Sequence, residues 1–175
     1  MYITDFTDEY RRWRLAAEKA IAQVSDDADL NRIVAKDGNS IAMLMRHVGG
    51  NLKSRFSDFL TSDGEKPWRD RDREFDEGPF VRADVQALWD TGWATLEDAL
   101  ASLTDDDFGK TVFIRGQGAS VHAQLTRSLS HIANHCGQII ILARILTSDW
   151  QWITIPKGKS REYNQNPTFE RPASR

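Results

Sequence analysis

Apolar residues recur along this chain at intervals of three and four, and they do so in four long stretches. In the first, over about 4–24, Phe6, Tyr10, Trp13, Ala17, Ala20, Ile21 and Val24 share one helical face. Ser25, Asp26 and Asp27 supply its stop. The second covers about 40–61, with Ile41, Leu44, Met45, Val48, Leu52, Phe56 and Phe59 as its stripe and Asn39 or Ser40 as a cap for the first free amides. The third covers about 81–103, where Val85, Leu88, Trp89, Gly92, Leu96, Ala99, Leu100 and Leu103 nearly form a heptad seam. The fourth runs from about 120 to 147 on Val121, Leu125, Leu129, Ile132, Cys136, Ile139, Ala143 and Leu146. Four helices of this length in one chain predict an all-α fold, a four-helix bundle.

The connections qualify the topology. Residues 62–80 form a long polar crossover between the second and third helices, so the bundle need not be simply up-and-down. Thr111, Val112, Phe113 and Ile114, followed by Arg115-Gly116-Gln117-Gly118, predict a small extended excursion before the fourth helix. After Trp150 the chain carries Pro156, Gly158, Pro167 and Pro172. This predicts one domain over residues 1–165 with a flexible C-terminal tail at 166–175.

Composition narrows the function classes. The 175 residues are 40% hydrophobic and 28% charged, as expected of a globular chain. The longest strongly apolar run, 139–143, is far short of the ~20 residues of a membrane span. The start of the chain lacks the pattern of a secretory signal. With 23 basic and 26 acidic side chains the net charge is -3, which argues against a nucleic-acid partner. A single cysteine, Cys136, excludes an intrachain disulfide framework, and a cytoplasmic location is the simplest expectation.

The candidate chemistry lies in the histidines. His131 and His135 are four apart on the fourth helix, so both rings leave the same face one turn apart. One helix offers two imidazoles to one metal ion in this way. They flank the apolar arc and therefore meet a neighbouring helix. His47 stands beside core positions of the second helix. If the second and fourth helices pack together, it completes a three-histidine face. His122 falls about half a turn away and is left out. Incidental spacing is the competing reading of the pair. Ile132 stands where a zinc protease needs glutamate, which disfavours proteolysis.

A three-nitrogen site leaves a coordination position open, as catalytic sites do. Zinc suits three neutral imidazoles; nickel and iron also accept them. Other candidates rank lower. Cys136 reads best as a small buried hydrophobe. Asn51 is either a cavity residue or a surface amide. Gly49 and Gly50, costly in mid-helix, imply a close helix approach or a kink beside the site. Arg71, Asp72, Arg73 and Glu74 form a solvated charge cluster by default, or a lid over the cavity mouth. Gln124, Arg127, Ser128, His131, His135 and Gln138 line a polar pocket or mark a helix edge. Trp93 falls outside the third helix's seam, and exposed aromatics of that kind fit a dimer interface or a surface covered by the tail.

These residues resemble a known family. His47-Val48-Gly49-Gly50-Asn51, with the later His131-Ile132-Ala133-Asn134-His135-Cys136-Gly137-Gln138, is similar to the DinB-like superfamily of bacterial metal-binding four-helix bundles. Two further segments, Pro67-Trp68-Arg69-Asp70-Arg71-Asp72-Arg73-Glu74-Phe75 and 155–164, resemble one uncharacterised branch of it, related to the YfiT-like bacillithiol transferase group. The resemblance implies that His47, His131 and His135 are ligands of one divalent metal ion. It also implies a long crossover, homodimerisation, and a metal-dependent transferase acting with a low-molecular-weight thiol. Two expectations follow. In the first, the site activates a small thiol or water for transfer to a small electrophile, as a thiol S-transferase or hydrolase. In the alternative it is a non-catalytic metal-binding or sensing bundle.

Overall fold

The computed structural model describes residues 2–167. The expected flexible tail at 166–175 therefore lies, from residue 168 on, outside the described residues. The chain is mostly helical. Its long helices are α1 (Tyr2–Ile21), α3 (Ile41–Phe56), α4 (Arg82–Ser102) and α5 (Val121–Leu146), with short helices α2 (Asp27–Leu30) and α6 (Ser160–Tyr163). Single 3-10 turns lie at Asp72–Phe75 and Asp105–Asp107.

Local chemistry sets the helix ends. The Ser40 hydroxyl accepts the Met43 amide and starts α3, and Ser120 does the same for α5 through Ala123. The stretch expected as a helix to residue 61 stops at Phe56. Ser57 is extended and Asp58 has a φ of 49°, in the left-handed region that ends helices. Phe59 still reaches the core, its ring 5.0 Å from that of Phe56.

The all-α expectation has one exception. Strands β1 (Thr111–Ile114) and β2 (Gln117–Ser120) form an antiparallel hairpin, with Thr111 opposite Ser120 and Ile114 opposite Gln117. Its two turn residues, Arg115 and Gly116, both have positive φ, 55° and 71°, which matches the twist of a two-residue hairpin. The Asp63 carboxylate accepts both of their amides, and Gly64 donates to the Phe113 carbonyl. The hairpin thereby anchors the segment that follows α3.

Inside, α3 packs mainly on α4, α1 on α5, and α3 also meets α5. That last contact positions the site. Trp89 and Trp93 fill the interior side by side, ring centroids 5.5 Å apart. Trp93 is 1% exposed, so its expected exposure at an interface is corrected. Four residues turn a helix by about 400°, so Trp93 lies only about 40° from Trp89 and inside the same arc. Leu88, expected in the seam, is 47% exposed because it lies about 100° from Trp89, at the arc's edge. No helix among the described residues is long and apolar enough to cross a membrane.

Candidate metal centre

His47 comes from the middle of α3, flanked by the buried Leu44 and Val48; His131 and His135 come from α5, flanking the buried Ile132 and Cys136. The three residues meet. Their ligand atoms all lie within 4.8 Å of one another, and the ring centroids are 4.5 to 5.2 Å apart. His47 is buried and the other two are half-buried. Each ring is nearly perpendicular to its neighbours.

Hydrogen bonds set which nitrogen faces inward. His47 Nδ1 lies 2.8 Å from Glu74 Oε2. An ionised carboxylate only accepts, so Nδ1 donates, and in the neutral imidazole the lone pair is then on Nε2. His135 Nδ1 is 3.1 Å from Gln138 Oε1, with the same consequence. His47 Nε2 and His131 Nε2 are 3.1 Å apart. Two nitrogens on one tetrahedral zinc, each at about 2.0–2.1 Å, stand about 3.3 Å apart. The spacing and the donor set therefore fit a metal ion.

Glu74 departs from the default reading of its charge run as solvated. Within the Arg71–Glu74 run, Asp72 is solvated, its side chain 98% exposed, but Glu74 is buried. Both its oxygens are engaged. Oε1 accepts Arg69 Nε and Oε2 accepts Arg69 Nη2, each at 2.8 Å, while Oε2 also accepts His47. Burial pushes this carboxyl up, but the His47 and Arg69 hydrogen bonds outweigh it and hold it below the usual carboxylate range. Phe75, next in sequence, lays its ring 4.7 Å from the His47 ring. The crossover thus supplies an outer layer of the site, as a carboxylate does behind a ligating histidine.

The adjacent glycines serve different neighbours. A Cβ on Gly49 would stand 2.5 Å from the Leu88 carbonyl oxygen of α4, whereas one on Gly50 would overlap Glu74 Oε1. Close helix approach explains the first and the buried carboxylate the second. The pair was the visible signal of Glu74, since a mid-helix glycine one turn from a histidine needs a packing reason. Arg69 gave no such signal.

The remaining candidates separate cleanly. His122 packs between Phe6 and Phe108, at 5.9 and 5.7 Å, as a ring outside the triad. Cys136 is fully buried and its thiol is pushed up to about 12 by burial, which suits a hydrophobe and not a nucleophile. Asn51 is buried, which removes the surface-amide alternative.

Burial and the neighbouring positive charges push His131 down to about 4, and burial likewise lowers His135. Both are neutral, and ready to ligate, at pH 7. Between 6.5 and about 4 the unfolded chain carries a proton at His131 that the folded chain rejects. The stability this represents is complete above 6.5 and is lost as pH falls toward about 4. Urea unfolding of metal-free protein at about pH 7.5 and about pH 5 checks this. The midpoint is expected to drop at the lower pH, and to drop less in His131→Gln; equal drops in both proteins contradict the assignment.

Comparison with curated proteins and with solved structures finds no match. A family model described as a protein of unknown function (DUF1572) matches residues 1–159. That span takes in the crossover and all three histidines, and the chain belongs to the DUF1572 family.

Proposed function

We propose that His47, His131 and His135 hold one divalent metal ion, zinc, nickel or iron, within a DinB/YfiT-like four-helix bundle formed by residues 1–165. The protein then acts as a metal-dependent enzyme that activates a small thiol or a water for transfer to a small electrophile. The observation that carries this reading is the convergence of three inward-facing imidazoles from two helices. Among the described residues no fourth histidine, cysteine or carboxylate joins the group, so a position stays open for a reactant. An ion there supplies Lewis acidity, which makes a water or a thiol nucleophilic near neutral pH. The chain's own part is to hold the ligands. Glu74 and Gln138 fix two rings in the required tautomer, and Phe75 covers His47.

One observation favours the non-catalytic alternative, a metal-binding or sensing bundle. Glu74, the carboxylate against the triad, is fully engaged by Arg69 and His47 and is not free to serve as a general base. Screening metal-loaded protein against common thiols and electrophiles separates the two. Turnover that tracks metal occupancy supports the enzyme, and its absence across the screen supports the sensing bundle.

Gly50→Ala tests the outer layer without removing any charged group. The added methyl displaces the Glu74 carboxylate from behind His47. Metal affinity is expected to fall by about 10–100-fold, the usual cost of losing such a partner. Isothermal titration reads it, and an unchanged Kd would mean that Glu74 does not orient His47.

A further inference from the structure

The surroundings of the triad are more cationic than a site for a cation should be. Arg69 is the deepest of these cations, its side chain 2% exposed. Two of its nitrogens are spent on Glu74, but the third, Nη1, is buried and has no partner. An unpaired buried donor on a charged group costs free energy, and needs an explanation beyond packing. Arg71 sits over the Phe75 ring at 5.3 Å, and that ring lies against His47. Its acidic contact is loose, 3.9 Å to the solvated Asp72.

Apart from the solvated Asp72, the carboxylates around these arginines are already committed. Glu74 serves His47 and Arg69, and Glu65 bridges Arg55 at 3.2 Å and Arg115 at 3.0 Å. Asp70 pairs with Arg73. Arg69 Nη2 and His47 Nδ1 share one oxygen of Glu74, and Arg71 and His47 share the Phe75 ring. Guanidiniums this close repel a dication, and the repulsion is offset when the group that joins it is negative. Arg69 and Arg71, with Trp68 and Arg115, line a cleft of about 520 Å³ that Asp70 and Asp72 also face and that the three histidines do not line.

We propose that the small molecule this site takes carries an oxyanion, a carboxylate or a group like it, which is held by Arg69 Nη1 and Arg71 beside the three histidines. This deepens the reading of the triad as a metal-dependent site for a small thiol or water and rests on it. The oxyanion supplies the partner Nη1 lacks and offsets the positive charge around the ion. The loosely held guanidinium of Arg71 suits it, because its parallel N–H groups match two oxygens of one acid, and Arg69 adds the single donor Nη1.

Three thiols that differ in the charge of a second group test this. Mercaptoacetate, 2-mercaptoethanol and cysteamine are titrated into cobalt-loaded full-length protein, and thiolate-to-cobalt absorption reads binding. Mercaptoacetate is expected to bind at least about tenfold tighter than 2-mercaptoethanol, with cysteamine weakest, as for a charge-assisted contact. Arg71→Gln, whose side chain is half exposed and does not carry the fold, should remove most of that advantage. Equal affinities overturn the proposal. So does an advantage that survives both Arg71→Gln and Arg69→Lys, because that is chelation by the ion alone.

If cobalt does not load, or no thiol binds, the metal or thiol reading fails by itself. The anion is then judged on metal-free protein, with acetate, acetamide and inorganic phosphate as probes. Binding is read from the tryptophan fluorescence that Trp68→Phe removes. Acetate or phosphate bound in preference to acetamide supports an oxyanion pocket, and the better of the two names its chemistry. No preference overturns it.

Discussion

His131→Ala is expected to take metal content from one ion per chain to none. Among the described residues three imidazole nitrogens make up the donor set, and two of them cannot retain an ion against solvent as three can. The loss should exceed the 10–100-fold expected for disturbing an outer partner. Stability follows by mass action. An ion present at about 1,000 times its Kd adds about 4 kcal/mol to the folded state. For a chain of this length that is on the order of 10 °C in Tm. Wild type should therefore melt higher with metal than with chelator, and His131→Ala should melt at one temperature in both. Elemental analysis of tag-free protein and a pair of melting curves check this. Unchanged stoichiometry in the variant removes the site as drawn.

The second large effect lies in the fold, where α3 crosses α4. A Cβ at Gly92 would overlap the backbone of Gly49, and one at Gly49 would stand 2.8 Å from the Leu88 carbonyl carbon. Backbone atoms cannot swing aside as a side-chain tip does, so the two helices would have to separate and open the packing around Trp89 and Trp93. Gly92→Ala is expected to destabilise by about 3 kcal/mol, the upper range of overpacking. Without the contact, alanine would stabilise a helix interior by about 1 kcal/mol relative to glycine. The sign of the change is therefore diagnostic. Gly137, on α5, provides the control, since a Cβ there meets nothing within 4 Å. Gly137→Ala should raise stability by up to about 1 kcal/mol. Denaturant unfolding of the two variants measures both, and a stabilising Gly92→Ala would refute the close approach.

Legibility differed from one element to the next. The four long helices were visible because a 3.6-residue period is a local property, and burial of residues such as Tyr10, Ile41, Leu96 and Ile132 repeats it. An extended excursion was visible at 111–114, but its pairing with Gln117–Ser120 into a hairpin was not. The ends of α3 and the place of Leu88 were less so, since one left-handed residue or an 80–100° offset on the wheel is a small signal. Trp93 was misplaced for the same reason: the seam was drawn as a heptad, and it narrowed the true arc.

Helical spacing alone put His131 and His135 on one face, and their neighbours placed that face at a helix boundary. The sequence could name His47 as the third member only on condition that two particular helices touch. Tertiary packing met that condition, bringing rings 84 residues apart in the chain to 3.1 Å. It also decided what no local pattern encodes. Glu74, from a run read by default as solvated and otherwise as a lid, and Arg69, just before that run, fold inward because together with His47 they satisfy one another. The space they occupy exists because Gly50 has no side chain. Periodicity reports which face of an element is buried. It does not report which distant group is buried against it, because that depends on charges and volumes meeting across the fold.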